Sequence, residues 1–350
     1  MRRSRSQVSV SIVCTSLTLL SLFCGPALLC AAPPFDPPDP NPTIVFSHFS
    51  PDRPIRLIAY GDMRFTNPNV TRGTNPRVRQ WLAERIGVED PEVLLLTGDM
   101  PFVGSRDADW DEFQKETASW RTKQILQLPT IGNHEIYGGA DQGIANYLKA
   151  FPSIQGHRYY TALIGNVEVI SLDCAAGASG ATPQGQWFAA QLAHMPTQVQ
   201  LIFILYHTPW VVDRQSQMMI NLPTKEALNL RGILETYLPR LSARVVVFNG
   251  HIHNYERFER NNVEYVVSGG GGAEPYPLLY RGKADLYRDI GFPVYHYLTL
   301  EVNDHELHAV MWKVKDPDAS QLSVEQKDEF TLHLSPPVAA PKSPAKNLRK

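Results

Sequence analysis

Five short blocks, each placed where an apolar run stops, constrain this chain more than any other feature. They read GDMR at 61–64, GDM at 98–100, GNHE at 132–135, YHTP at 206–209 and GHIHNYER at 250–257. Together they supply Asp62, Asp99, Asn133, His207, His251 and His253. Six such oxygen and imidazole donors in one place would bind two divalent metal ions, a common device for cleaving phosphate esters in water. Four of the blocks open on glycine, which lets a backbone turn sharply and lets a metal approach closely. One Gly-Asp pair is also a common turn; five blocks in this order, each at a strand end, are a far more specific signal.

The runs that precede the blocks set the fold. Segments 55–60, 93–97, 199–206 and 244–248 are short and rich in Ile, Val and Leu. Such runs suit strands buried on both faces, as in parallel or mixed sheets. Asn75-Pro76 reads as an N-cap followed by proline at the first helical position. Val78, Trp81, Leu82 and Ile86 then form a helical stripe ending at Gly87. Leu230, Ile233, Leu234, Tyr237 and Leu238 mark a second helix. Segments 159–163, 167–172, 263–267, 296–301 and 307–314 read as antiparallel strands. The expected fold is α/β, a four-layer α/β/β/α sandwich of two mixed sheets flanked by helices. Open α/β sheets place their sites at the carboxyl ends of strands, so the blocks can converge on one edge.

Composition bounds the function. The chain has 350 residues, 43% hydrophobic and 19% charged, a profile that fills a core. Arg2, Arg3 and Arg5 precede an uncharged apolar stretch at 8–32, read as a secretory signal with cleavage near Ala31 or Ala32. The competing reading is an uncleaved N-terminal membrane anchor, since the stretch is long enough to span a bilayer. The expected location is therefore periplasmic or extracellular, or membrane-anchored if the leader stays. Cleavage removes three of 33 basic residues and none of 35 acidic ones, leaving a net charge of about −5. That gives no basic patch for nucleic acid. Three of the four cysteines leave as well, so the mature chain, with Cys174 alone, forms no intrachain disulfide. Residues 33–54 read as a proline-rich lead-in, 55–315 as one domain, and 316–350 as a C-terminal extension, disordered from about 335.

With these residues in view, the chain resembles the calcineurin-like metallophosphoesterase superfamily. The GNHE and GHIHNYER blocks are most similar to those of purple acid phosphatase-like proteins. The likeness runs from about residue 55 to residue 312 and includes the glycine run at 268–273. The resemblance implies that Asp62 binds the first metal, Asp99 bridges both, Asn133, His207 and His251 bind the second, and His253 binds the first. It places His134 beside the leaving group. It implies two divalent or trivalent ions (Fe, Mn or Zn) and a small phosphoester substrate, mono- or diester, attacked by a metal-bound hydroxide. Glu135 is expected either to brace this site or to be a surface charge.

Two positions depart from the pattern. The superfamily usually has His two residues after the first Asp, where this chain has Arg64. Purple acid phosphatases supply Tyr three residues after the bridging Asp, where this chain has Phe102. The first metal is left with Asp62, Asp99 and His253. A guanidinium offers donors only and cannot ligate. Arg64 is expected either to grip a phosphate oxygen or to pair with Asp99 or Glu135. The alternative to an enzyme is a phosphate-binding protein with an incomplete metal site, although His134 favours catalysis. Trp210 is expected to wall the site mouth, and Arg257 to brace the last block through an ion pair. Cys174 and the histidines outside the blocks are expected to be packing or surface residues.

Overall fold

The computed structural model describes residues 41–49, 53–220 and 222–336. The leader, the start of the proline-rich lead-in and the tail beyond residue 336 lie outside these residues. The strands are β1 (Ile44–Val45), β2 (Ile55–Tyr60), β3 (Val93–Leu96), β4 (Leu126–Pro129), β5 (Tyr160–Ile164), β6 (Val167–Ser171), β7 (Leu201–Leu205), β8 (Arg244–Asn249), β9 (Tyr255–Arg260), β10 (Val263–Ser268), β11 (His296–Val302), β12 (Glu306–Val314) and β13 (Val324–His333). The helices are α1 (Pro76–Glu89), α2 (Asp107–Glu116), α3 (Ala118–Thr122), α4 (Ala140–Ala150), α5 (Pro183–Ala193), α6 (Arg214–Ile220) and α7 (Lys225–Tyr237).

Among the described residues the strands form two sheets, in the orders β1-β5-β6-β7-β8-β10-β9 and β13-β12-β11-β2-β3-β4. Both are mixed. In the first, β6, β7, β8 and β10 run parallel, while β5 is antiparallel to β6 but parallel to β1, and β9 is antiparallel to β10. In the second, β2, β3 and β4 are parallel and β11, β12 and β13 antiparallel. Alternation along a strand decides which layer each side chain fills. Leu201, Phe203 and Leu205 of β7 enter the large core shared by both sheets; Ile202 and Ile204 pack with α5 and α7. Each such buried side chain stabilises the fold by about 1.5–3 kcal/mol. The expected four-layer sandwich is the observed one.

Local signals explain the element ends. Asn75 caps α1, its side chain accepting from Val78 N at 3.1 Å, with Pro76 opening the helix. The helix continues past Gly87 to Glu89; Gly87 sits where α3 passes closely, and a Cβ there would meet Ser119.

Two boundaries move relative to the sequence reading. Ile44 and Val45, assigned to the lead-in, pair with Ala162 and Leu163 of β5. Residues 324–333, assigned to the extension beyond 315, form β13 and pair along the whole of β12. This strand is an edge of mixed polar sequence in which Leu332 alone is fully buried. An ion pair from Arg257 to Asp328, 2.6 Å long, ties it to β9. Among the described residues no helix is long and apolar enough to cross a membrane.

Candidate metal centre

The blocks follow the carboxyl ends of β2, β3, β4, β7 and β8, and so gather residues from both sheets at one edge. The turns there are tight. Asp62, Asp99 and His251 all have positive φ, at 58°, 56° and 69°. Gly98, at φ 96°, cannot carry a side chain: its Cβ would stand 2.7 Å from His207 Nδ1. Backbone bonds lock the first two loops together, from Asp62 N to Gly98 O at 3.0 Å and from Arg64 N to Asp99 O at 3.0 Å.

All six expected ligands meet here. His207 Nε2 lies 3.2 Å from Asp99 Oδ1 and 3.2 Å from Asn133 Oδ1. His251 Nδ1 lies 2.8 Å from Asn133 Oδ1 and 3.3 Å from His207 Nε2. Asp62 accepts His251 N on both oxygens, at 2.9 and 3.1 Å, and its Oδ1 faces His253 Nε2 at 3.6 Å. The far ring nitrogens are anchored: His207 Nδ1 donates to Thr97 O at 2.8 Å and His253 Nδ1 to Glu274 O at 2.6 Å. These bonds fix each ring's orientation and turn each Nε2 inward, the atom a metal would take in place of a proton. Tyr276 stacks on His253 with ring centres 4.3 Å apart.

The donor set fits cations on its own evidence. Among the described residues Asp62, Asp99 and His207 offer ligand atoms within 4.8 Å of one another. Asp99 Oδ2 and His253 Nε2 are buried and, among those residues, have no hydrogen-bond partner. Burial pushes the Asp62 carboxyl up to about 8, the neighbouring Asp99 charge adding to the effect. Burial would raise Asp99 too, but the charge and hydrogen bond of His207 hold it well below the usual carboxylate range. Burial also opposes charge on His207, yet the Asp99 carboxylate draws it up to about 10. The Asp99–His207 pair thus keeps a proton where a cation would do the same electrostatic work. Burial lowers His251 to about 4 and His253 to about 3, so both are neutral imidazoles, the form that ligates.

His134 and Arg64 both lie near the Asp99 carboxylate. His134 Nδ1 lies 2.6 Å from Phe102 O, its ring lies between Phe102 and Tyr137, and its Nε2 stands 3.9 Å from Asp99 Oδ2. Arg64 reaches the same oxygen, with an Nη2 distance of 3.6 Å. Glu135 is fully buried and is no surface charge. It accepts from Gly132 N at 2.6 Å, Met100 N at 2.8 Å and Asp99 N at 3.0 Å, bracing two ligand loops through their backbone.

Other expectations fare differently. Trp210 does not wall the mouth; it is fully buried and packs with Phe188 and Tyr206, because the turn after His207 points inward to the helical layer. Arg257 pairs with Asp328 and Glu264 as an ion-paired brace. Three contributors escaped the sequence reading. Glu274 acts through its carbonyl, which any residue can supply, and Tyr276 follows it. Arg79 on α1 is wholly buried; it pairs with Glu116 and donates to Arg64 O at 3.1 Å. An arginine in the apolar stripe of α1 was the available signal.

Comparison with known proteins places the chain's family and fold. The family model for calcineurin-like phosphoesterases matches residues 55–255, more than half of the chain. Purple acid phosphatase 22 of Arabidopsis thaliana is 26% identical over 229 residues, covering 58% of this chain and 50% of that protein. The chain thus spans about half the length of this curated relative. Among solved structures, a purple acid phosphatase from yellow lupin seeds superposes with a TM-score of 0.60 at 17% identity, covering 81% of this chain and 55% of the other. A dimetal phosphatase from Danio rerio gives 0.54 at 14% identity, covering 81% and 100%. These two likenesses are of fold. The chain belongs to the calcineurin-like phosphoesterase family.

Proposed function

We propose that this protein is an exported, metal-dependent phosphoesterase that hydrolyses small phosphate mono- or diesters. Two cations, of Fe, Mn or Zn, are held by Asp62, Asp99, Asn133, His207, His251 and His253. Residues 1–32 act as the export signal, and the catalytic unit runs from residue 55 through β13. The observation that carries the reading is the convergence of Asp99 Oδ1, Asn133 Oδ1, His207 Nε2 and His251 Nδ1 from four separate loops, with contacts of 2.8–3.3 Å. Beside them lie Asp99 Oδ2 and His253 Nε2, buried and without a hydrogen-bond partner among the described residues.

When bound, such cations neutralise charge on phosphoryl oxygens and acidify a water enough for it to act as nucleophile near neutral pH. The protein's own groups do the rest. Arg64 offers a planar pair of donors to the phosphoryl oxygens. His134 gives its Nδ1 proton to Phe102 O, so a second proton on Nε2 points into the site and can pass to the departing oxygen. The buried Glu135 holds the Asp99 and Asn133 loops so that these groups stay in register. Arg64 in place of a fourth ligand favours a second reading, a protein that binds phosphate without turning ester over.

Assay of purified protein on p-nitrophenyl phosphate and bis(p-nitrophenyl) phosphate, before and after chelation, tests the proposal. Turnover lost on chelation and restored by Mn²⁺, Fe²⁺ or Zn²⁺ is the expected result. Orthophosphate binding with no turnover under any of these metals selects the second reading.

A further inference from the structure

The two halves of the centre are unequal in what they offer a cation. On one side, Asp99 Oδ1, Asn133, His207 and His251 form a nest of four donors, each within 3.3 Å of another. On the other, Asp62 Oδ1 and His253 Nε2 face each other at 3.6 Å, and Asp99 Oδ2 is buried with no hydrogen-bond partner among the described residues. Arg64 stands beside that same Oδ2, with Nη2 at 3.6 Å.

Arg64 is not a loose surface residue. Its backbone sits at φ 52°, its N–H is bonded to Asp99 O at 3.0 Å, and its carbonyl is held by the buried Arg79 at 3.1 Å. The side chain is 14% exposed, and its Nε is buried without a hydrogen-bond partner among the described residues. The guanidinium charge is therefore built into the first half of the site. A divalent ion entering there meets like charge across one carboxylate oxygen, in surroundings where screening by water is weak. It also finds fewer protein donors.

We propose, building on the phosphoesterase reading, that the protein binds its two cations with widely different affinity. One ion is held tightly on the Asn133–His207–His251 side. Arg64 keeps the Asp62–His253 side weak and stands there as a resident positive charge against Asp99. At low metal the working centre is one cation plus one guanidinium, both facing the phosphoryl group; at high metal a second cation joins them.

Metal-stripped protein titrated with Mn²⁺ by calorimetry, with metal content measured after desalting, tests this directly. Wild type is expected to retain one ion per chain and to show a second binding event at least ~10-fold weaker. Arg64→Met and Arg64→His should tighten that second event at least ~10-fold. Arg64→Lys, which keeps the charge, should retain the wild-type pattern. Asn133→Ala should release the tight ion. Two events of equal affinity in wild type, an unchanged second event in both Arg64→Met and Arg64→His, or a tight ion that survives Asn133→Ala would each overturn the inference. A protein that shows the unequal pattern but turns over no phosphoester would instead sink the functional reading, and equal sites with brisk turnover would sink the inference alone.

Discussion

Replacing Glu135 by alanine tests how the site is held in shape. The carboxylate is wholly buried and accepts three backbone N–H groups, from Gly132, Asp99 and Met100. Each buried donor left without a partner costs about 1–3 kcal/mol, so the three together cost on the order of 3–9 kcal/mol before any water fills the space. A domain of ordinary stability has about 5–15 kcal/mol in all. Glu135→Gln keeps one acceptor oxygen for two of the donors and loses the third bond. It also removes a charge that burial disfavours, burial having pushed the Glu135 carboxyl up to about 7. The amide variant should therefore fall between wild type and Glu135→Ala. Urea unfolding followed by far-UV circular dichroism should rank them in that order. Metal affinity should drop about 10–100-fold in Glu135→Ala, because the braced N–H groups belong to Asp99 and to the residue before Asn133. An alanine variant that unfolds at the wild-type urea midpoint would refute the bracing role.

Two further outcomes follow from other groups. His134→Gln should leave metal content intact and slow turnover by about 10²–10⁴-fold, less for substrates with good leaving groups. Burial lowers the His134 pKa from 6.5, with Asp99 partly opposing, so the wild-type rate should begin to fall on the alkaline side below pH 6.5, and His134→Gln should lose that limb. Glu256 lies in a separate buried network, accepting from Asp213 N and Ser216 Oγ, and burial pushes it up to about 7. A raised carboxyl favours the folded state while protonated, so its contribution is present below about pH 4.5 and lost as pH rises through 7. Thermal melts should show wild type losing on the order of 3 kcal/mol relative to Glu256→Gln across that range, with the variant flatter. Equal pH dependence in both proteins would count against this account of Glu256.

What could be read from the chain, and what could not, follows from how each element is stabilised. β2, β7 and β8 are legible because they are buried on both faces and so carry continuous apolar runs. β13 and the end of β9 are not, because edge strands hold their place by ladder bonds and ion pairs while showing charged side chains to water. The convergence of Asp62, Asp99, Asn133, His207, His251 and His253 was legible because each stands just past an apolar run that forms a strand. Glu135 was ambiguous, since a carboxylate next to a ligand reads the same whether it faces water or three backbone N–H groups. Trp210 was misplaced for a similar reason: its neighbour His207 faces the site, but a turn of one residue sends the next side chains into the helical layer. Glu274 acts through backbone, where sequence carries no record. Arg64 was visible as a departure, and the structure places its guanidinium 3.6 Å from Asp99 Oδ2, one of the two carboxylates the sequence offered it.

The central claim is that Asp99 joins both halves of a phosphoester-cleaving metal centre. Asp99→Asn preserves size and one acceptor oxygen, so the hydrogen bond from His134 N can persist while the bridging charge is lost. Metal content and hydrolysis of p-nitrophenyl phosphate, measured on the same preparation as wild type, decide the matter. The account predicts a folded variant with reduced bound metal and turnover at or near background. A folded Asp99→Asn protein with wild-type metal content and wild-type turnover would contradict it.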